Sequence, residues 1–377
     1  MRIAILEEIP RDPTLQRQWN ELVRRLPDSQ VFYTFEWSLA VYRAYSNTLQ
    51  PLLFLGYDEA DSLCAVVPLA LDSERMRASF LCATTGDYCD FLAPIEHKNA
   101  FVSSVLEHLR QRNVHEITLA NLPADSTTVA AIERVSVTTG YHRFSRTAYT
   151  CSQVRLSYIG RRPNDNKLAL PGRKMVRRSL SAMGKESPVR LDHACDWTTV
   201  APLLPEFVKT HIQRFAAMNR VSNLEKPDRQ IFLAELAQLL ASSGWFILTR
   251  MMSGEKVLAW NYGFRFQGSW FWYQPTFARN LERFSPGFCL LSKLIEEAAE
   301  DPELKMVDLG LGEEDYKDRF ANENRRTLYV TLTRSLAKHM KEILRYGTAE
   351  VIKTSPPLER SARKVVSRLR DLRTKKP

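Results

Sequence analysis

Nowhere in the 377 residues does an apolar run approach the ~20 residues that a membrane span requires. The opening MRIAILEEIP carries Glu7, Glu8 and Pro10 where a secretory peptide needs an unbroken apolar stretch. The six cysteines (Cys64, Cys82, Cys89, Cys151, Cys195 and Cys289) contain no C-x-x-C pair, and the seven histidines show no metal-ligand spacing. Neither a disulfide framework nor a zinc site is therefore expected. The G-x-S-x-G, Walker and dinucleotide fingerprints are absent as well. These absences leave a soluble cytoplasmic chain with reduced, mostly buried thiols and no bound metal as the expectation.

What is present is ordinary globular composition, 44% hydrophobic and 25% charged, at a length that favours two domains. The net charge of +10 is concentrated in two places, GRKMVRRSLSAMGK and the tail ERSARKVVSRLRDLRTKKP. Such patches attract phosphates of any kind, whether on nucleotide-linked substrates, anionic lipid or an acidic carrier protein. Nucleic acid is disfavoured, because the aromatics read as core rather than as a stacking surface interleaved with arginine.

From Trp245 to Phe320 the pattern is dense. WFILTRM, KVLAWNYGFRF and SWFWYQPTF read as three strands joined by turns at Ser253-Gly254 and Gly268-Ser269. A polar loop ARNLERFSPG follows, then the helix FCLLSKLIEEAAED, a short strand KMVDLGLG and the polar segment EEDYKDRF. The first half reads similarly. An aromatic helix VFYTFEWSLAVYRAY precedes PLLFLGYD, SLCAVVPLAL and SFLCATTGDYCDFLAP, which read as strands or strand pairs. FVSSVLEHLRQR has one apolar helical face, EITLANL is a strand, and TVAAIERVSVTTG is a helix stopped at Gly140. Setting DYCDFLAP-helix-EITLANL beside WFWYQPTF-helix-KMVDLGL suggests a tandem of two similar units. The expected division is 1–160 and 161–335, split near Pro163, Pro171 and Gly172, with a basic helical tail over 336–377. In that tail Val365, Val366, Leu369 and Leu372 share a face that suits an anionic membrane surface or an acidic partner, with a frayed terminus as the alternative.

Chemistry is expected first at RFSPGFCLLSK. A helix N-terminus presents unpaired N–H groups and partial positive charge to phosphate oxygens. Ser285 is placed to cap, Pro286 suits the first helical position, Gly287 admits a ligand close to the backbone, and Arg279 and Arg283 add charge. A plain Ser-Pro helix start explains the same residues. Asp308 ends an apolar strand, where a partly desolvated carboxylate serves as a base or orients the amine, or else holds a loop. Lys174, Arg177 and Arg178 share one face of a basic helix fitted to a phosphate-bearing acceptor, and Lys317 and Arg319 lie in YKDRF; solvated charged faces are the alternative for both groups.

FYTFEWSLAVY, GDYCDFLAP, GRKMVRRSL, SPGFCLLSKLIEEA and VDLGLGEEDYKDRF together resemble the CelD-type GNAT acyltransferases associated with exopolysaccharide and cellulose synthesis. Those proteins are relatives of the FemAB transferases, which join aminoacyl groups to cell-wall precursors. The resemblance spans most of residues 30–325. It implies an α/β fold with a mixed sheet, built of tandem GNAT-like units, and an acyl-CoA or acyl-carrier donor. It also implies oxyanion-stabilising amides around Gln274, Thr276 and Phe277, with Ser285, Gly287 and Phe288 at the cofactor loop. Tyr316 is the implied proton donor to the departing thiolate. Asp87, Tyr88 and Trp272 complete the expected substrate contacts. The glycine signature of GNAT cofactor loops is reduced here to RFSPG.

The leading expectation is N-acyl transfer from acetyl-CoA or another acyl-CoA to an amine on a sugar or amino-acid-like acceptor. An aminoacyl-tRNA-dependent, FemAB-like transferase is the alternative. A catalytically silent tandem scaffold in a polysaccharide assembly is a third reading.

Overall fold

The computed structural model describes residues 1–162, 168–312 and 314–354, with side chains to residue 346. Pro163 and the apolar tail face from Val365 to Leu372 lie outside the described residues. Among those described, no helix is long and apolar enough to cross a membrane.

The first half runs β1 (Arg2–Leu6), α1 (Pro13–Arg25), α2 (Phe35–Tyr45), β2 (Gln50–Tyr57), β3 (Leu63–Asp72), β4 (Arg77–Phe80), α3 (Ile95–Gln111), β5 (Glu116–Pro123), α4 (Thr127–Thr138) and β6 (His142–Arg155). After α5 (Arg173–Met183) the same order returns. It is β7 (Val189–Ala194), α6 (Trp197–Val200), α7 (Leu204–Ala217), α8 (Pro227–Ser242), β8 (Phe246–Ser253), β9 (Lys256–Phe266), β10 (Ser269–Phe277), α9 (Pro286–Ala298), β11 (Met306–Asp308), α10 (Asp315–Phe320) and β12 (Glu323–Thr333). A last helix, α11, spans Leu336–Thr354. This is a mixed α/β tandem, as expected from the sequence.

Among the described residues, twelve strands form one sheet in the order β1-β2-β3-β4-β5-β12-β6-β11-β10-β9-β8-β7. Each half gives its last strand to the other: β12 lies against β5, and β6 lies against β11. The two exchanged strands pair with each other from Glu323↔Gln153 to Thr333↔His142. Helices α2 and α8 also pack across the halves, where the Trp37 ring meets Phe232 at 5.7 Å and Phe264 at 5.2 Å. Beneath α9 a second cluster forms from Leu290, Leu291, Leu294 and Ile295, all fully buried against Trp270 and Val307. Burying each such side chain contributes about 1.5–3 kcal/mol, which holds α9 firmly on the strands that flank the site.

Two expectations need correction. SFLCATTGDYCDFLAP is a strand only over β4; from Leu81 to Pro94 the chain is loop apart from a single bridge, Val66↔Leu92. The Cys82 carbonyl accepts from the amides of Thr85 and Gly86, at 3.0 and 2.7 Å, and this turn overrides the β-branched run. The counterpart of β10 is therefore β4, not DYCDFLAP. Ser285 does not cap α9: it sits in the left-handed region (φ 50°, ψ 53°) and its side chain makes no capping bond. Pro286 opens that helix as expected.

Candidate active site

Strands β10 and β11 run parallel, but their pairing covers only Ser269–Phe271 against Met306–Asp308. Beyond it the edge of β10 facing β11 has no partner strand among the described residues. A bulge helps to part them: Phe271 faces Phe264 and Gln274 faces Tyr262 on β9, so two residues of β10 stand opposite Gly263 alone. Gly263 is required there, since a Cβ would lie 2.6 Å from the Phe271 carbonyl oxygen.

Two cavities lie at this gap and share Trp272. One is a cleft of about 310 Å3 lined by Trp272, Pro275 and Phe277 of β10, Ser285, Gly287 and Phe288 at the start of α9, Tyr316 and Arg319 of α10, and Met175, Arg214 and Glu282. Trp272 Nε1 donates to the Tyr316 hydroxyl at 3.1 Å. Burial pushes that phenol up to about 12, partly offset by the Trp272 bond, so it holds its proton at neutral pH. Arg214 projects from α7, donates to the Pro275 carbonyl at 3.2 Å and stacks over Phe277 at 4.2 Å. Its Nε is buried without a partner. Burial lowers its pKa, against the pull of Tyr316, Glu282 and Glu314, and a guanidinium remains charged regardless.

The other cavity, about 540 Å3, opens toward the first half. Its walls are the loop Ala83–Asp87, Asn121, Arg146, Tyr149 and Arg229, with Trp272, Tyr273, Gln274 and Leu309–Leu311. Asn121 secures the loop by donating to the carbonyls of Ala83 and Gly86, at 3.2 and 2.9 Å. Asp87 keeps some contact with the cavity but is otherwise surrounded by protein. Burial raises its carboxyl to about 7, the nearby Asp308 carboxylate adds to this, and Lys317 opposes it. Asp87 approaches so closely because residue 310 is glycine (φ 70°); a Cβ there would collide with Asp87 Oδ2.

Asp308 itself has no exposed surface and lines neither cavity. It accepts from Tyr88 at 2.9 Å, Gln153 at 2.8 Å and the Gly310 amide at 2.8 Å, and so fixes the turn against which Asp87 rests. Tyr88 is likewise enclosed. Lys317 is buried, donating to the Leu311 carbonyl at 2.6 Å and pairing with Glu314 at 2.8 Å. Thr276 is fully buried away from the cleft. Arg279 and Arg283 are exposed and line no wall, Arg283 lying over Phe284 at 4.7 Å. Lys174 and Arg178 border a shallow surface cavity on α5 that meets the cleft at Met175, while Arg177 faces solvent elsewhere.

Arg214 and Arg229 escaped the sequence reading. A signal existed for Arg229: it stands three, four and seven residues before Phe232, Leu233 and Leu236, in phase with the buried face of α8. Among the described residues, no group of His, Cys, Asp and Glu is arranged to hold a metal.

Residues 172–318 match the family model for the acetyltransferase (GNAT) domain. The second half has the GNAT-type fold. No curated protein matches the chain. Among solved structures it is similar to FemX, at 10% identity and TM-score 0.56 over 91% of this chain and 99% of that one. L-PGS from Bacillus licheniformis is similar at 10% identity and TM-score 0.56, covering 89% and 96%. A conserved protein of unknown function from Bacteroides thetaiotaomicron reaches TM-score 0.59 at 9% identity, covering 88% and 100%. At these identities the likeness is one of fold.

Proposed function

We propose that this protein moves an acyl group from acyl-CoA, or from an acyl carrier protein, to an amine, in the exopolysaccharide or cell-envelope setting of the CelD-like proteins it resembles. The observation that carries this reading is the gap between β10 and β11, flanked by the start of α9 on one side and by Asp87 on the other. The donor occupies the cleft, with its thioester directed at the unpaired edge of β10 and its phosphates toward the α9 amides, Arg214 and Arg319. The acceptor enters through the larger cavity. Its nitrogen attacks the thioester carbonyl, a C–N bond forms, and the C–S bond breaks with its electron pair on sulfur. Asp87 takes the proton shed by nitrogen, and Tyr316 gives one to the thiolate. Asp308 acts as a positioning residue behind Asp87.

Calorimetric titration with acetyl-CoA and longer acyl-CoAs tests the donor half. Saturable binding that weakens at least tenfold in Arg214→Gln is expected; no binding of any thioester rejects it. An aminoacyl-tRNA donor is the second reading, favoured by the basic surface of α5 that adjoins the cleft through Met175. Transfer from charged tRNA that is abolished by ribonuclease, without any response to acyl-CoA, would install it instead.

A further inference from the structure

Arg229 is 7% exposed, yet it lines the larger cavity. Among the described residues it forms no ion pair. It donates to the Tyr273 hydroxyl at 2.6 Å, and that hydroxyl in turn donates to the Thr85 carbonyl at 2.6 Å. Its Nε is buried without a partner. Its ring contacts, Phe232 at 4.9 Å and Tyr273 at 5.8 Å, hold it in place without neutralising it. Asp87 lies near enough for the guanidinium to favour its charged form, but it forms no hydrogen bond or ion pair with Arg229. A buried cation with only neutral hydrogen-bond partners and an unused N–H is costly for the fold unless something anionic completes it. On the same cavity stands Asp87, a carboxylate suited to an amine. The cavity thus carries two fixed positive groups, the buried Arg229 on α8 and the half-buried Arg146 on β6, which stacks over Tyr329 at 4.6 Å, and one titrating acid on the Ala83–Asp87 loop.

We propose that the acceptor is a small molecule bearing a primary amine together with an anionic group, a carboxylate or a phosphate, with the anion held by Arg229 and the amine directed to Asp87. The proposal rests on the acyl-transfer reading for the identity of the amine as nucleophile, but the binding it describes requires no donor. A planar fork matches a carboxylate or phosphate by paired hydrogen bonds, so a neutral amine of equal size leaves the guanidinium uncompensated. The arrangement therefore selects against uncharged amino sugars as well as for charged acceptors.

Ligand-observed NMR and calorimetry on the full chain, without donor, test this directly. The probes are the free L-amino acids and glucosamine 6-phosphate, each against its neutral counterpart, the amino-acid amide or glucosamine. At least one anionic amine is expected to bind 10- to 100-fold more tightly than its neutral partner. The amino-acid and sugar-phosphate arms tell carboxylate from phosphate. Arg229→Gln should abolish the preference and Arg229→Lys should keep part of it. Arg279→Gln, at an exposed arginine that lines neither cavity, should change it less than threefold, and a cooperative thermal unfolding transition of the Arg229→Gln variant guards against misfolding. Equal binding of charged and neutral amines, a preference that survives Arg229→Gln, or no binding of any probe at 10 mM would each overturn the proposal. Acetyl-CoA binding measured on the same samples reports on the cleft separately: its persistence alongside acceptor failure leaves the donor reading standing, and its loss alongside acceptor success does the reverse.

Discussion

In the first half, β4 stops at Phe80 and the chain folds back over the space beside β5; in the second, β10 continues to Phe277 and the corresponding space beside β11 stays open. The first gap is filled by the chain itself. Asn121, in the left-handed region at φ 60°, donates to Ala83 and Gly86 and accepts from the Cys89 amide at 3.0 Å, while Leu92 bridges to Val66. Unpaired backbone beside a parallel strand pair must find partners in protein, water or ligand, and the two halves use different ones. The starts of the matching helices differ in the same sense. α3 begins at Ile95, 72% exposed and outside any cavity described, whereas α9 begins against the cleft. The loop that closes the first gap delivers Asp87 to the cavity beside the second, so the first half supplies part of that cavity's wall.

Substitutions can break this asymmetry. Asp87→Asn should act most strongly, lowering transfer at pH 7 by about 100- to 10,000-fold, as loss of a general base does, with acyl-CoA binding unchanged. In the parent, kcat/KM should rise with pH and level off above about 7, the value to which burial raises Asp87; the variant should lose that limb. Tyr316→Phe comes next, with an expected loss of about 10- to 100-fold in kcat and donor affinity within about twofold. Gly287→Trp should fill the cleft and weaken acyl-CoA binding about tenfold or more, while Ile95→Trp, at the equivalent helix start of the first half, should leave it unaltered. Equal effects from those two variants would contradict the assignment of the donor to one half.

The smallest effect expected is on stability, and it has the opposite sign. The fold favours the neutral form of Asp87, so this group's contribution is complete below its unfolded value near 4 and is lost as pH rises toward 7. Asp87→Asn should therefore stabilise the protein by about 1–3 kcal/mol at pH 8 and hardly at all at pH 4, measured by urea unfolding. A variant that is slower and sturdier at once would mark the carboxylate as kept for chemistry.

The second-half elements were legible because apolar alternation, paired turns and a Ser-Pro-Gly helix start coincide in one short stretch. The first-half loop was not, because TTGDYCDFLAP has strand composition and only the hydrogen bonds of Asn121 and Cys82 make it turn. Strand β6 was missed for the reverse reason: HRFSRTAYTCSQVR is polar and half exposed, and its partners, β11 and β12, lie more than 150 residues away. Tyr316, Gly287, Phe288 and Asp87 stand out in the sequence as candidates, and they line the two cavities. Arg214 and Arg229 were not, since each looks like surface charge until its helix is docked. Asp308 was found by its place at a strand end, but only packing reveals that Tyr88 and Gln153 enclose it.

The exchange of β6 and β12 ties the halves into a knot-like clasp. A chain cut anywhere between Leu156 and Gly172 would stay assembled, each piece gripping the other through a strand it cannot withdraw without opening two raw sheet edges. Expressed separately, the pieces would each present such edges from the start, and aggregation rather than independent folding is the expected fate.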